Sequence, residues 1–382
     1  MHFGLSDDEK ALQEAARKFA REVMRPRSAH YDEKSEFPRE IITQAAELGF
    51  MNMTLPAEVG GLELPHVAQA LIAEELAWGC SGMATSMIAN DLALLPLVLG
   101  ASAEQKERFL RPFTGDPTRL ASFALTEPGA GSDVAGLRTT ARREGDFYVL
   151  NGQKQWISNG EYAHHFTVFA TTDTSKKHKG LLCLVVERTL PEGFTTGKHE
   201  NKMGQRASNT VTLNFDNVKV PVANRIGEEG EGFLLAMSTL DNSRPLTAMF
   251  AIGIARAAME HALDYSRQRQ QFGKPIAEFQ AIQFMLADMA ADIEAARLLT
   301  HKSAWLLDDG QRNTLVSSYA KRFAADMAMK ATTDAVQIYG GYGYSREYPV
   351  EKLMRDAKLI QVYEGTSQVQ RIVIARELIR GL

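Results

Sequence analysis

Cysteine is nearly absent from this 382-residue chain: only Cys80 and Cys183 occur. Two thiols so far apart give neither a disulfide scaffold nor a metal cluster, so both are expected as buried free thiols. An excess of one charge is missing too. The 43 basic and 47 acidic residues leave a net charge of -4 at neutral pH, which gives no support for nucleic acid as a partner. No integral membrane segment is expected, because no apolar run is read as long enough to span one. The opening MHFGLSDDEK lacks the charged-then-apolar pattern of a leader. The expected location is therefore the cytoplasm, or the mitochondrial matrix for a mature eukaryotic form. The nine histidines are scattered, and the one adjacent pair, His164-His165, would face opposite sides of a strand. No metal site is expected.

What is present has the ordinary composition of a globular protein, 45% hydrophobic and 24% charged, with length for two or three domains. Residues 1–118 carry helical patterns. Ser6 and Glu9 stand at capping-box spacing, and Leu12, Ala16, Phe19 and Val23 then recur on one face. Over 119–232 the period shortens. Val211, Leu213 and Phe215 alternate, and Asn151-Gly152 between two apolar runs predicts a hairpin. From 233 to 382 the helical period returns, with Ile282, Leu286, Met289, Ile293 and Ala296 on one stripe. Helices, then strands, then helices predict an α+β fold with an antiparallel middle unit.

Single motifs are ambiguous. TEPGAGSD, residues 126–133, offers glycines and hydroxyls to a ligand but has Val134 where a dinucleotide fingerprint needs glycine. Trp156 in KQWISNG suits a core or a cleft. SRQRQQFGKP reads as a helix C-terminus with basic residues on the dipole, or as a pyrophosphate-binding arm. Asp241 and Arg244 are three apart on a helix, usually a surface ion pair. Gly340, Gly341 and Gly343 mark a tight turn or a close backbone approach.

In order along the chain, TEPGAGSD, NGQKQWISNG, RQQFGK, QIYGGYGYSREYPVEKLMRDAK and YEGTSQVQRIVIARE resemble the acyl-CoA dehydrogenase family over essentially the whole length. The resemblance is strongest to medium- and short-chain straight-acyl members. It implies an N-terminal helical domain, a middle β-barrel-like domain and a C-terminal four-helix bundle. It also implies non-covalent FAD, a homotetramer built as a dimer of dimers, an acyl-CoA substrate desaturated between Cα and Cβ, and an electron-transfer flavoprotein as acceptor. By motif, the flavin ring would meet Phe123, Leu125, Thr126, Gly131 and Ser132 on one side and Trp156 and Ser158 on the other. Arg269, Gln271, Phe272, Gln280, Gln337 and Gly341 would hold the adenine half across a subunit interface, with Thr366 and Gln368 on the FAD side of the last motif. Ser132, Asp241 and Arg244 would contact CoA. Phe123 and Ser158 depart from the commoner Tyr and Thr, and Gln271 falls at a variable position. Related readings are an acyl-CoA oxidase, a dehydrogenase of a branched, cyclic or aromatic acyl-CoA, and a non-catalytic flavin-binding assembly protein.

The resemblance makes Glu364 the base. Closing a site over a thioester raises a buried carboxylate's pKa by up to ~3–5 units, toward the operating pH. Two donors on the thioester oxygen stabilise the enolate, each worth roughly 3–4 kcal/mol; the family uses the base's own N–H and a ribityl hydroxyl. Gly365 would let the backbone approach the thioester, Tyr363 would wall out water, and Thr366 or Ser367 would cap the next helix. Branched- and long-chain members carry the base at the position of Ser243, which cannot serve. Met87 and Ile88 are expected at the floor of the acyl pocket, favouring an alkyl tail.

Overall fold

The structure, a computed structural model, describes residues 4–189 and 192–381. Six helices come first: α1 (Asp7–Phe19), α2 (Ser28–Lys34), α3 (Arg39–Glu47), α4 (His66–Gly100), α5 (Ala103–Phe109) and α6 (Pro112–Gly115). The sheet unit follows with β1 (Ala121–Ala124), β2 (Thr140–Glu144), β3 (Phe147–Ser158), β4 (His165–Thr171), β5 (Leu181–Glu187), β6 (Phe194–Thr196), β7 (Thr210–Pro221) and β8 (Arg225–Ile226). Then come α7 (Gly232–Gln268), a two-stranded arm of β9 (Gln270–Gln271) and β10 (Lys274–Pro275), α8 (Gln280–Asp308), α9 (Thr314–Tyr339), α10 (Val350–Ile360) and α11 (Ser367–Arg380). This is the expected α+β arrangement of helices, sheet and helices.

The capping box at Ser6 and Glu9 forms, and Ala16 and Phe19 are buried on the predicted face. Both cysteines are free and buried. The sheet runs in the order β6-β7-β3-β2-β4-β5-β8. It is not wholly antiparallel: β1 lies parallel to β4, and β2 meets β4 in parallel at Thr140 and Thr171. The hairpin predicted at Asn151-Gly152 is absent. β3 runs straight through these residues and bulges instead, with Gly152 at φ 146° and a register shift between Leu150 and Gly152. A bulge uses the same backbone freedom as a turn without reversing the chain. The actual reversal is at Gly145, between Glu144 and Phe147.

Two helices overturn the reading that no run reaches membrane-spanning length. α4 and α7 each contain an 18-residue window of sufficient hydropathy, 78% and 72% buried inside the protein. They owe that composition to packing on both sides. Helices before and after the sheet share one core, in which Ile72, Leu76 and Met83 of α4 join Ile252 and Ile254 of α7. Burying that much aliphatic surface requires the few charges among these helices to be paired. Arg256 bonds both Glu74 and Glu75, and Arg297 bonds Glu74.

One junction ties the three units together. α4 breaks at Cys80, whose extended backbone (φ -166°, ψ 108°) interrupts the helix. Beside the break, fully buried Asp356 of α10 accepts from Ser81 Oγ at 2.8 Å, Lys352 Nζ at 2.7 Å and the Gln205 N–H at 2.5 Å. Burial works against the Lys352 ammonium, yet Asp356 outweighs it and holds the group above its ordinary value. Replacing Asp356 by alanine leaves a buried ammonium without its counter-charge, which typically costs about 3–5 kcal/mol. Asp356→Ala is expected to lower the unfolding free energy by that order in chemical denaturation. A loss under about 1 kcal/mol, the range of an exposed pair, contradicts this role.

Candidate active site

The helix α10 stops four residues before Glu364, and α11 starts three after it, capped by Thr366 Oγ1 accepting from the Val369 N–H at 3.1 Å. Between them Glu364 and Gly365 both adopt left-handed backbone, at φ 51° and 86°. For a residue with a Cβ this conformation is strained and persists only when its surroundings hold it. Here the restraints lie on the carbonyl side. Lys321 Nζ donates to Gly365 O at 2.6 Å, and Gln370 Nε2 reaches Glu364 O at 3.3 Å and Gly365 O at 3.2 Å. A Cβ on residue 365 would stand 2.5 Å from Gln370 Nε2. The glycine therefore makes room for Gln370. Among the described residues the Glu364 N–H has no acceptor.

The Glu364 carboxylate accepts from Ser243 Oγ at 2.6 Å. Ser243 thus supports the acid at the position where it cannot replace it. Next to it, Arg244 is 4% exposed and paired with Asp241, so the expected surface ion pair is a buried one. Burial lowers the Arg244 pKa, against the attraction of Asp241 and Glu364. Its Nε is buried without a hydrogen-bond partner among the described residues. The phenol of Tyr363, the residue expected to wall out water, is pushed up by burial and by the Glu364 charge.

Glu364 and Ser243 line a cavity whose apolar side is Ile88, Leu92, Leu95 and Leu246. Met87 lies in the core instead. The cavity's other side is polar, with Thr54, His66, Gln69 and Asp91. Asp91 is 1% exposed. It accepts from the N–H groups of Asn52 and Thr54 and from Thr54 Oγ1 at 3.0–3.2 Å, yet burial pushes its carboxyl up to about 6. Sequence reasoning missed this second acid, although it is the only charged residue between Cys80 and Gly100. Lys321 was missed as well; its one signal is a place on a stripe with Ser317, Ala324 and Ala328, all buried.

The residues expected around a flavin ring assemble on β1, β3 and the loop between β1 and β2. The Gln155 N–H donates to Thr126 O at 2.8 Å, and Ser122 Oγ to Ser158 O at 2.8 Å, which joins Phe123, Leu125 and Thr126 to Trp156 and Ser158. Beneath them Lys154, fully buried, donates to Leu125 O at 3.0 Å and to Glu127 at 2.8 Å. A Cβ at Gly129 or Gly131 would meet nothing within 4 Å, so the chain's own packing leaves open space beside Gly131 and exposed Ser132. Trp156 is 58% exposed and held at φ 63°. An indole fixed in the open beside a roomy glycine loop fits the flat ring of FAD.

The residues expected at the adenine half form a separate group. Arg269 stacks over Tyr342 at 5.6 Å, next to Gly341. Phe272, 94% exposed, sits with Gly273 at the left-handed tip of the β9–β10 arm. Gln271, Gln280, Gln337 and Gln368 are all exposed.

Known proteins resemble this chain over its whole length. The acyl-CoA dehydrogenase N-terminal, middle and C-terminal domain descriptions match residues 6–115, 122–218 and 230–379. The cyclohex-1-ene-1-carbonyl-CoA dehydrogenase of Geobacter metallireducens is 46% identical over 98% of this chain and 99% of its own. The butyryl-CoA dehydrogenase structure from Megasphaera elsdenii superposes with a TM-score of 0.96 at 43% identity, over 100% of both chains. A chain in the structure of the electron transferring flavoprotein of Acidaminococcus fermentans gives the same three values. Its three domains in order, and relatives matched from end to end, make this chain a member of the acyl-CoA dehydrogenase family, the FAD-dependent oxidoreductases of acyl-CoA thioesters.

Proposed function

We propose that Glu364 takes the proton and that its own N–H helps hold the thioester oxygen. One observation carries this reading: a strained turn presents a carboxylate to the cavity and, among the described residues, leaves its N–H without an acceptor. FAD, when bound, supplies the acceptor for the hydride that leaves the acyl chain. The chain's part is to bind, orient and remove the proton. Ser243 fixes the carboxylate by a hydrogen bond, Tyr363 shields it from water, and the Glu364 N–H stabilises the charge that grows on the thioester oxygen. Exposed Phe272 and Tyr344, at 94% and 90%, support a homotetramer in which neighbouring copies cover them and complete the adenine site. The match to a chain in an electron transferring flavoprotein structure supports that class of protein as electron acceptor.

The substrate class is an alicyclic acyl-CoA. A relative's name supports it, and so does Asp91. In cyclohex-1-ene-1-carbonyl-CoA the α-carbon belongs to a double bond and has no hydrogen. A second desaturation must instead remove a proton from an allylic ring carbon, giving a dienolate conjugated with the thioester. Hydride then leaves from the ring carbon on the other side of the α-carbon, which yields a conjugated diene. Such a reaction needs a carboxylate placed along the ring instead of at the α-carbon, and the cavity holds Asp91 besides Glu364. A carboxyl near 6 suits a base working near neutral pH. A buried acid is also a poor neighbour for a long alkyl tail. The straight-chain reading keeps the support of the butyryl-CoA dehydrogenase structure.

Two variants test this assignment. Glu364→Gln is expected to retain FAD and to lose anaerobic flavin reduction by saturated acyl-CoAs such as butyryl-CoA; reduction by these near the wild-type rate would show another group to be the base. Asp91→Asn is expected to lose flavin reduction by cyclohex-1-ene-1-carbonyl-CoA by roughly 100-fold or more, with butyryl-CoA affected much less. Equal losses on both thioesters, or wild-type activity on the cyclic one, contradict the role of Asp91.

A further inference from the structure

Lys321 lies about two turns into α9 and has no exposed surface. A buried ammonium carries three donors and a heavy desolvation cost. Among the described residues its one hydrogen-bond acceptor is Gly365 O, at 2.6 Å. A methionine would fill the same space without that cost, so packing alone does not account for a charge here. The ionisable groups facing it come from three elements: Glu364 on the turn and Asp326 on α9 attract it, and Arg244 on α7 repels it. Burial is the largest influence and pushes the ammonium down to about 8.

We propose that Lys321 is the positioning residue of the Glu364 turn, anchoring the Gly365 carbonyl and favouring the ionised carboxylate. This rests on Glu364 being the base. Peptide groups are planar, so fixing the carbonyls of residues 364 and 365 on the α9–α11 side fixes the course of the turn between them. Without Lys321, both carbonyls depend on a single amide nitrogen, Gln370 Nε2, at 3.2 and 3.3 Å. That is weak restraint for a left-handed glutamate. The cation also acts on charge. When a thioester displaces water from the cavity, the carboxylate loses its solvation, and an ammonium one residue away keeps the ionised form accessible. Lys321 touches neither substrate nor reacting atoms; it works through the turn.

The test uses the FAD-loaded enzyme with a 3-thia-acyl-CoA. This thioester can lose its α-proton but has no β-hydride to give, so it reports proton removal alone through a long-wavelength charge-transfer band. Lys321→Met removes both the charge and the donor. Lys321→Gln removes the charge and keeps a donor for Gly365 O. In both, the pH midpoint below which the band is lost is expected to rise by about one unit. Anaerobic flavin reduction by butyryl-CoA is expected to fall roughly tenfold in the methionine variant, less in the glutamine variant, with ligand Kd little changed. Midpoints unmoved in both variants, or a loss confined to Kd, overturn the proposal. If the methionine variant fails to retain FAD, the midpoint of the glutamine variant decides. Glu364→Gln run in parallel separates the two readings. No band there together with unmoved Lys321 midpoints defeats only the positioning role, whereas a full band there defeats the base assignment itself.

Discussion

The carboxylate of Asp356 is the point on which the three units depend. It satisfies the break in α4 through Ser81, the sheet unit through the Gln205 N–H, and its own helix through Lys352, with no help from solvent. Gln205 extends the connection. Its side chain accepts from Thr85 Oγ1 at 2.7 Å, and both side chains lie close enough to the Tyr363 phenol to act on its charge. The residue next to Glu364 is therefore set against α4 and the sheet unit at once. A base that must act to within a fraction of an ångström benefits from being fixed by the joint that assembles the domains.

Around the base, the protein trades stability for function in a consistent way. Among the described residues, a glutamate in left-handed backbone, an ammonium with one acceptor and an arginine nitrogen without a hydrogen-bond partner all occur within a few residues of each other or in direct contact. Each is unfavourable taken alone. Together they place positive groups, Arg244 and Lys321, behind a negative one that faces the cavity. Asp91 is different. It has three donors and still stays near 6, because the apolar length of α4 around it offers no cation. That difference suits two acids with separate tasks.

The layout of helices, sheet and helices was legible because the apolar period changes at each boundary, and the capping box at Ser6 because its spacing is local. Local signals failed where long-range packing decides. Asn151-Gly152 has the chemistry of a turn, but pairing with β7 on both sides of it makes a bulge. Asp241 and Arg244 have the spacing of a surface pair, but α8 and α9 cover that helix; Thr314 Oγ1 and Asn313 Nδ2 both bond Asp241. Glu364 could be singled out only through family resemblance, since nothing in VYEGTSQ distinguishes it from a solvated charge. Lys321 and Gln370, which hold it, come from helices 43 and 6 positions away, counting from residue 364. Such restraints leave no local pattern to read.

The central claim is that this turn delivers a base to the thioester's proton. Hydrogen exchange tests it without relying on hydride transfer. A saturated acyl-CoA is held with the oxidised, FAD-loaded enzyme and no electron acceptor in heavy water, and deuterium entering the α-position is followed by NMR. The account predicts exchange with the wild-type protein and none above background with Glu364→Gln carrying a full complement of FAD. Exchange at the wild-type rate in that variant would contradict it.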